Sequence, residues 1–151
     1  MPLTIDCDSI TRMKKTITLK TEEDTKVLGR MIAKDIIPGD VVALTGDLGA
    51  GKTTLAKSIA LALGINETII SPTYTIVAEY HSGNLPFYHF DVYRINEGDE
   101  LFEIGLEEYI NGNGVCVIEW ADLIEKILPS NTKWFKLEYT MNENERICTI
   151  G

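Results

Sequence analysis

No apolar run in this chain approaches the roughly 20 residues a membrane-spanning helix needs, so no such helix is expected. The opening stretch MPLTIDCDSITRMKK lacks an apolar segment behind a basic start. A secretory signal is therefore not expected, residues 1–15 read as a loose leader, and a cytoplasmic protein is the default. Positive charge is also scarce: 14 Lys and Arg stand against 23 Asp and Glu, a net charge of −9. An acidic surface repels phosphate backbones, which argues against strong direct nucleic-acid binding. Lys14 and Lys15 make only a small basic spot, so any RNA would be held by a partner. The cysteines, Cys7, Cys116 and Cys148, are odd in number, far apart and without a CxxC. Neither a zinc site nor a disulfide framework is indicated. Cys116, inside the apolar run VCVIEW, reads as a core residue. Repeats and low-complexity segments are absent.

What is present is an ordinary globular composition. Apolar residues make up 44% and charged residues 25% of 151, enough for one domain, residues 1–151, with its own core. Lys15–Leu19 alternates like a strand. Thr21 opens a helix with Glu22, Glu23 and Asp24 in its first turn, and Val27, Leu28, Met31 and Ile32 follow at helical spacing. Pro38-Gly39-Asp40 is a turn, and Val41–Thr45 a buried strand rich in β-branched residues. A helix is predicted from Lys52 to Leu63, with Leu55, Ile59, Ala62 and Leu63 on one face and Gly64 as its stop. A short strand is expected at Thr68–Ile70, ended by Ser71-Pro72-Thr73. Strands at 74–80 and 87–94 flank the turn HSGNL as a hairpin. An amphipathic helix at 99–110 aligns Phe102, Leu106, Tyr109 and Ile110. Val115–Glu119 is another buried strand, 121–128 a short helix, and 133–140 with 146–150 a closing pair. This order predicts an α/β, three-layer fold of the P-loop type: a mixed, mostly parallel sheet with helices on both faces and some antiparallel strands.

Residues Gly46, Asp47, Leu48, Gly49, Ala50, Gly51, Lys52 and Thr53 match G-x-x-x-x-G-K-[ST] in full, with Thr54 next. Average residue usage gives such a match on the order of once in a hundred chains of this length. The context sharpens it, because the motif lies between a β-branched strand and an amphipathic helix. Glycines let the loop wrap closely and aim successive N–H groups inward as an anion nest, and the following helix adds the positive end of its dipole. Lys52 would reach the outer phosphates of a nucleotide, and the Thr53 hydroxyl would face Mg²⁺.

A magnesium ion also needs a carboxylate, usually at the end of a buried strand. Glu119 closes V-C-V-I-E, four apolar residues and then an acid. Asp91 lies in F-Y-H-F-D-V-Y-R, where strand alternation puts His89 and Asp91 on one face and Tyr88, Phe90 and Val92 on the other. Glu119 is assigned to the metal and Asp91 to the attacking water or a more remote metal role, with the exchanged assignment left open. Each acid also has a blander reading: Asp91 as a strand-edge carboxylate paired with Arg94 or His89, and Glu119 as a surface acid. Thr73 and Thr75 fit either a switch loop that senses the last phosphate or a plain turn into a strand. Trp120 fits either a partner contact or the core.

The succession GDLGAGKTT, SPTYT, HFDVYR and the acid–tryptophan pair Glu119-Trp120, in this order and spacing, resembles the TsaE (YjeE) family over about residues 20–140. The resemblance implies a P-loop ATPase, with ATP and Mg²⁺, needed for the threonylcarbamoyl modification of adenosine 37 in tRNAs that read ANN codons. It implies work alongside TsaB and TsaD, with the transfer chemistry on TsaD and hydrolysis resetting the complex; tRNA is then met through the complex. Carried over, Lys52 and Thr53 match the phosphate and Mg²⁺ residues, Asp91 the aspartate of H-x-D-x-Y-R within which His89 and Arg94 fall, and Glu119-Trp120 the paired acid and tryptophan. Thr21 or Glu22, at the start of the first helix, matches the place near the nucleotide base.

Three rivals share parts of this pattern. A small-molecule kinase would add a lid with several arginines, but Arg12, Arg30, Arg94 and Arg146 are scattered. A GTPase would carry Asn-Lys-x-Asp, and the nearest string, Asn131-Thr132-Lys133-Trp134, lacks the aspartate. A protein that senses nucleotide without needing to hydrolyse it has the same sequence signature.

Overall fold

The computed structural model describes residues 15–72, 75–95 and 105–151. In chain order its elements are β1 (Lys15–Leu19), α1 (Glu22–Lys34), β2 (Val41–Gly46), α2 (Lys52–Ala62), β3 (Val77–Tyr80), β4 (Phe87–Asp91), α3 (Leu106–Ile110), β5 (Val115–Glu119), a 3₁₀ helix (Ala121–Ile127), β6 (Lys133–Tyr139) and β7 (Arg146–Ile150). The strands form one sheet in the order β1-β7-β6-β2-β5-β4-β3. The middle four, β6, β2, β5 and β4, pair in parallel; β7 and β3 run against their neighbours. Five of the seven strands therefore point one way, which is the mixed, mostly parallel sheet the element order predicts.

The sheet is buried on both faces. On one, Val42, Leu44, Val115, Val117, Phe135 and Leu137 pack with Leu28 and Ile32 of α1 and Leu55, Ile59 and Ala60 of α2. On the other, Val41, Ala43, Phe90, Cys116 and Ile118 meet Leu106 of α3 and Ala121 and Ile124 of the 3₁₀ helix. Covering both faces explains why β2 and β5 read as unbroken apolar runs rather than alternating ones. Thr21 caps α1, its hydroxyl accepting from the Asp24 amide at 3.2 Å, as the Ser/Thr cap rule requires.

Several expectations need adjustment. Thr68–Ile70 is not a strand: no neighbour among the described residues offers it a ladder, and the Ile70 amide donates to the Tyr80 hydroxyl at 3.3 Å instead. The second strand of the hairpin stops at Asp91 rather than 94, because the Asp91 carboxylate accepts from the Tyr93 amide at 3.0 Å and turns the chain. Ala62 is exposed, and Ala56 and Ala60 complete the buried stripe of α2. Of the helix expected at 99–110, Leu106–Ile110 is present; Phe102, like the leader 1–14 and Thr73, lies outside the described residues.

The two helices on the first face touch at Gly29. A Cβ there would stand 2.4 Å from the Ser58 Cβ of α2, inside any real carbon–carbon contact. Alanine gains about 1 kcal/mol of helix propensity over glycine, but overpacking a closed interface costs about 1–3 kcal/mol. Gly29→Ala is expected to lower the denaturant midpoint; a midpoint equal to or above wild type would mean that the helices separate freely.

Candidate functional site

The site is built at one end of the parallel strands. β2 ends at Gly46, whose φ of +134° and close approach to the Leu137 carbonyl exclude a side chain: a Cβ would lie 2.2 Å from that oxygen. The chain bends over Asp47–Ala50, closed by an Ala50 N–H···O Asp47 bond of 3.0 Å. Gly51, left-handed at φ +107°, then launches α2. First-turn amides of a helix have no acceptor of their own, so the amides of Lys52, Thr53 and Thr54 and the helix dipole together favour an anion at this bend. From the far side of the loop, the Tyr139 hydroxyl on β6 donates to the Leu48 carbonyl at 2.5 Å and tethers the tip.

Lys52 is only 4% exposed, and its Nζ donates to the carbonyls of Gly46 at 2.5 Å and Asp47 at 2.9 Å. The Trp120 ring centroid lies 3.9 Å from the same Nζ, and Tyr93 packs on Trp120 with centroids 4.5 Å apart. Burial lowers the Lys52 pKa from its ordinary 10.5, opposed by the negative charges of Glu119, Asp91, Asp122 and Asp47. A cation at the positive end of a helix, boxed in by acids, is poised for a ligand more negative than the loop carbonyls it now holds.

The acids arrive by register. Asp91 on β4 is the ladder partner of Glu119 on β5, and Glu119 is that of Leu44 on β2, so the three strand ends lie side by side. In parallel neighbours, matched residues share a face, and here it is the face covered by α2. Glu119 is 2% exposed, not the surface acid of the blander reading. Its Oε1 accepts from the Thr53 hydroxyl at 2.8 Å, and its Oε2 pairs with His89 Nε2 at 2.6 Å. Asp91, 6% exposed, accepts from the Tyr93 amide.

Of the residues named from sequence, Gly46–Thr54, Asp91, Glu119, His89 and Trp120 come together. Glu22 and Thr21 border the loop across a cleft of about 400 Å³ that Thr25, Gly49, Gly51, Thr54, Asn144 and Arg146 also line. Thr75 is exposed, with a long 3.4 Å contact to the Val77 carbonyl, and Arg94 is exposed in the turn after β4. His89 is fully buried, so a surface role in partner contact does not fit it. Trp120 is neither wholly core nor wholly surface: half-buried, it packs on the second apolar cluster while facing Lys52. Its left-handed backbone, φ +62°, is uncommon outside glycine and aims the ring there. The Tyr139 tether and the His89–Glu119 pair were not foreseen. For the second, the only signal was a histidine two residues before Asp91 on the same strand face.

Comparison with known proteins finds both a matching family and a solved structure of similar fold. The family model described as "Threonylcarbamoyl adenosine biosynthesis protein TsaE" matches residues 19–148. The tRNA threonylcarbamoyladenosine biosynthesis protein TsaE of Bacillus subtilis (strain 168) is 53% identical over 107 residues, 71% of this chain and 66% of that protein, just under two thirds of its length. The protein of the same name from Treponema pallidum is 42% identical over 128 residues, covering 85% of this chain and 94% of its own. A crystal structure of Bacillus subtilis YdiB superposes with a TM-score of 0.75 at 41% identity, covering 92% of this chain and 86% of that one.

The bend depends on a bare α-carbon at Gly46. Gly46→Ala meets both an unfavourable φ and a backbone oxygen that cannot swing aside, and is expected to cost more than about 2 kcal/mol of stability. Thermal unfolding of the variant beside wild type reads this directly; an unchanged midpoint would contradict the geometry.

Proposed function

The chain belongs to the TsaE family, and on that premise we propose that it is the ATP-binding, slowly hydrolysing subunit that serves tRNA threonylcarbamoyladenosine biosynthesis with TsaB and TsaD in the cytoplasm. The observation that carries the reading is the contact between Thr53, the last residue of the phosphate loop, and Glu119, the acid that ends β5. A glycine-rich turn with a surface lysine would not need a buried carboxylate held against its threonine.

In this reading the amides at the start of α2 bind the phosphates, and Lys52 leaves the Gly46 and Asp47 carbonyls to lie against the outermost ones. The cleft between Glu22 and Arg146 takes the sugar and base. Thr53 Oγ1 and the Glu119 carboxylate are hard oxygen donors of the kind Mg²⁺ accepts while it keeps several waters. Among the described residues there is no cluster of three or more His, Cys, Asp and Glu of the sort a self-contained metal centre would need. Thr53 and Glu119 would therefore hold the ion jointly with the phosphates, and the ion would supply charge neutralisation on the transferring group. Asp91 accepts a hydrogen bond from the attacking water; as the oxygen bonds to the terminal phosphorus, the bond to the bridging oxygen breaks, ADP departs, and both water hydrogens leave with the released phosphate as dihydrogen phosphate. Trp120 and Tyr93 roof Lys52 and restrict water at that side. The acidic chain leaves tRNA to its partners, and among the described residues no helix is long and apolar enough to cross a membrane.

Lys52→Ala is expected to lose most ATP affinity, since a charge-assisted contact and its steering disappear together. Unchanged affinity in a calorimetric titration would refute the role of the loop. Asp91→Asn is expected to bind ATP as wild type does and turn over at least tenfold more slowly; wild-type turnover would reduce Asp91 to a turn former. Glu119→Ala separates hydrolysis from sensing: a variant that binds ATP, no longer cleaves it and still supports full tRNA modification in cells would favour a sensor. A pull-down with TsaB and TsaD, with and without ATP, tests the partnership itself.

A further inference from the structure

The proposal above assigns no work to His89, yet this ring is the most completely buried polar side chain at the site. It sits on β4 with 0% exposure, its edge against Phe87 at 6.4 Å between centroids. A histidine in such a place ordinarily ties two parts of a fold together through both ring nitrogens. Here only one is engaged: Nε2 meets Glu119 Oε2 at 2.6 Å, and Nδ1 is buried with no hydrogen-bond partner among the described residues. The one hydrogen bond the ring makes goes to a single carboxylate oxygen.

That oxygen matters because of what the other one does. Glu119 Oε1 receives the Thr53 hydroxyl at 2.8 Å. A terminal carboxylate turns about its last torsion within a broad well, so one donor alone does not fix which edge faces the phosphate loop. Two donors on two oxygens do. The register supports the geometry: His89 pairs across the ladder with Val117, two residues short of Glu119 on the same face, so the ring reaches diagonally along β5 to the carboxylate. The nitrogen that is left over also fits. With the proton on Nε2, the ring donates to Glu119 and Nδ1 keeps only a lone pair, an acceptor that costs less to bury unpaired than an N–H. The opposite tautomer would bury an orphan N–H and set a lone pair against a carboxylate at 2.6 Å.

We propose that His89 is a positioning residue for the reaction: its Nε2–H pins one oxygen of Glu119 so that the other faces Thr53 and the metal-bearing side of the phosphate loop. The role rests on the assignment of Glu119 given above, but the clamp itself is a property of the protein without nucleotide, and the two can fail separately. Loss of the clamp leaves the phosphate cradle whole, so it reduces turnover and the response to Mg²⁺ much more than nucleotide affinity. Because His89 acts through Glu119, its removal has little further effect once Glu119 is no longer a carboxylate.

Two measurements test this. The chain has two histidines, and His81 lies on the surface, so ¹⁵N spectra of histidine-labelled protein are assigned by one His81→Gln control. In nucleotide-free protein His89 is expected to carry its proton on Nε2, with that resonance shifting in Glu119→Gln. A ring with no proton on Nε2, or a resonance indifferent to Glu119→Gln, overturns the clamp whether or not the protein hydrolyses ATP. In kinetics, His89→Leu is expected to bind ATP within about threefold of wild type, lower kcat at least tenfold and raise the Mg²⁺ concentration for half-maximal rate. His89→Gln, which keeps an N–H at similar reach, should recover most of the loss, and His89→Leu should add less than twofold to Glu119→Gln. If His89→Leu does not fold, His89→Asn, too short to reach Glu119, takes its place. Full activity without the donor, or no rescue by glutamine in folded protein, overturns the proposal. A wild type that shows the expected spectrum but no ATP turnover overturns the functional reading and leaves the clamp standing.

Discussion

Everything at this site depends on the carboxylate of Glu119 being buried at the end of β5 and kept there by donors from two other elements. A carboxylate at 2% exposure is costly to hold unless its oxygens are bonded. Thr53 brings α2 to it and His89 brings β4. The same two contacts that offset desolvation also fix the distance between the phosphate loop and the strand ends. The loop is therefore anchored at both its extremities: at its start by the Gly46–Leu137 approach and at its end by Thr53.

The charge arrangement follows from that anchoring. Lys52 is drawn in by four acidic neighbours and stripped of water, and its Nζ rests on loop carbonyls under the Trp120 ring. Neutral carbonyls and an aromatic face are weak substitutes for anionic oxygens. On the proposed function, this mismatch would give a nucleotide's phosphates an advantage over the present partners, in a chain whose net charge of −9 would otherwise repel them. Short range and partial dryness let the local field prevail over the global one.

Sequence made the local parts of this picture legible. The strand–loop–helix over Val41–Ala62 could be read because its signals are neighbours in the chain: a β-branched run, glycines at fixed offsets, then a helical stripe. The burial of Glu119 was foreshadowed by the four apolar residues before it. What could not be read were contacts set by sheet register. Glu119 and His89 are 30 positions apart and meet only because β4 pairs with β5 in one register. The Tyr139–Leu48 tether spans 91 positions and depends on β6 lying beside β2. Thr68–Ile70 was misread for the matching reason: β-branched residues favour a strand only where a neighbour can pair with them.

The most direct test of the account is a crystal structure grown with Mg²⁺ and a non-hydrolysable ATP analogue. It should place the phosphates on the amides that open α2, with Lys52 Nζ moved from the Gly46 and Asp47 carbonyls onto the terminal phosphate and the ion beside Thr53 and Glu119. A nucleotide bound elsewhere, or a loop that stays closed on Lys52 with the analogue in excess, would contradict it.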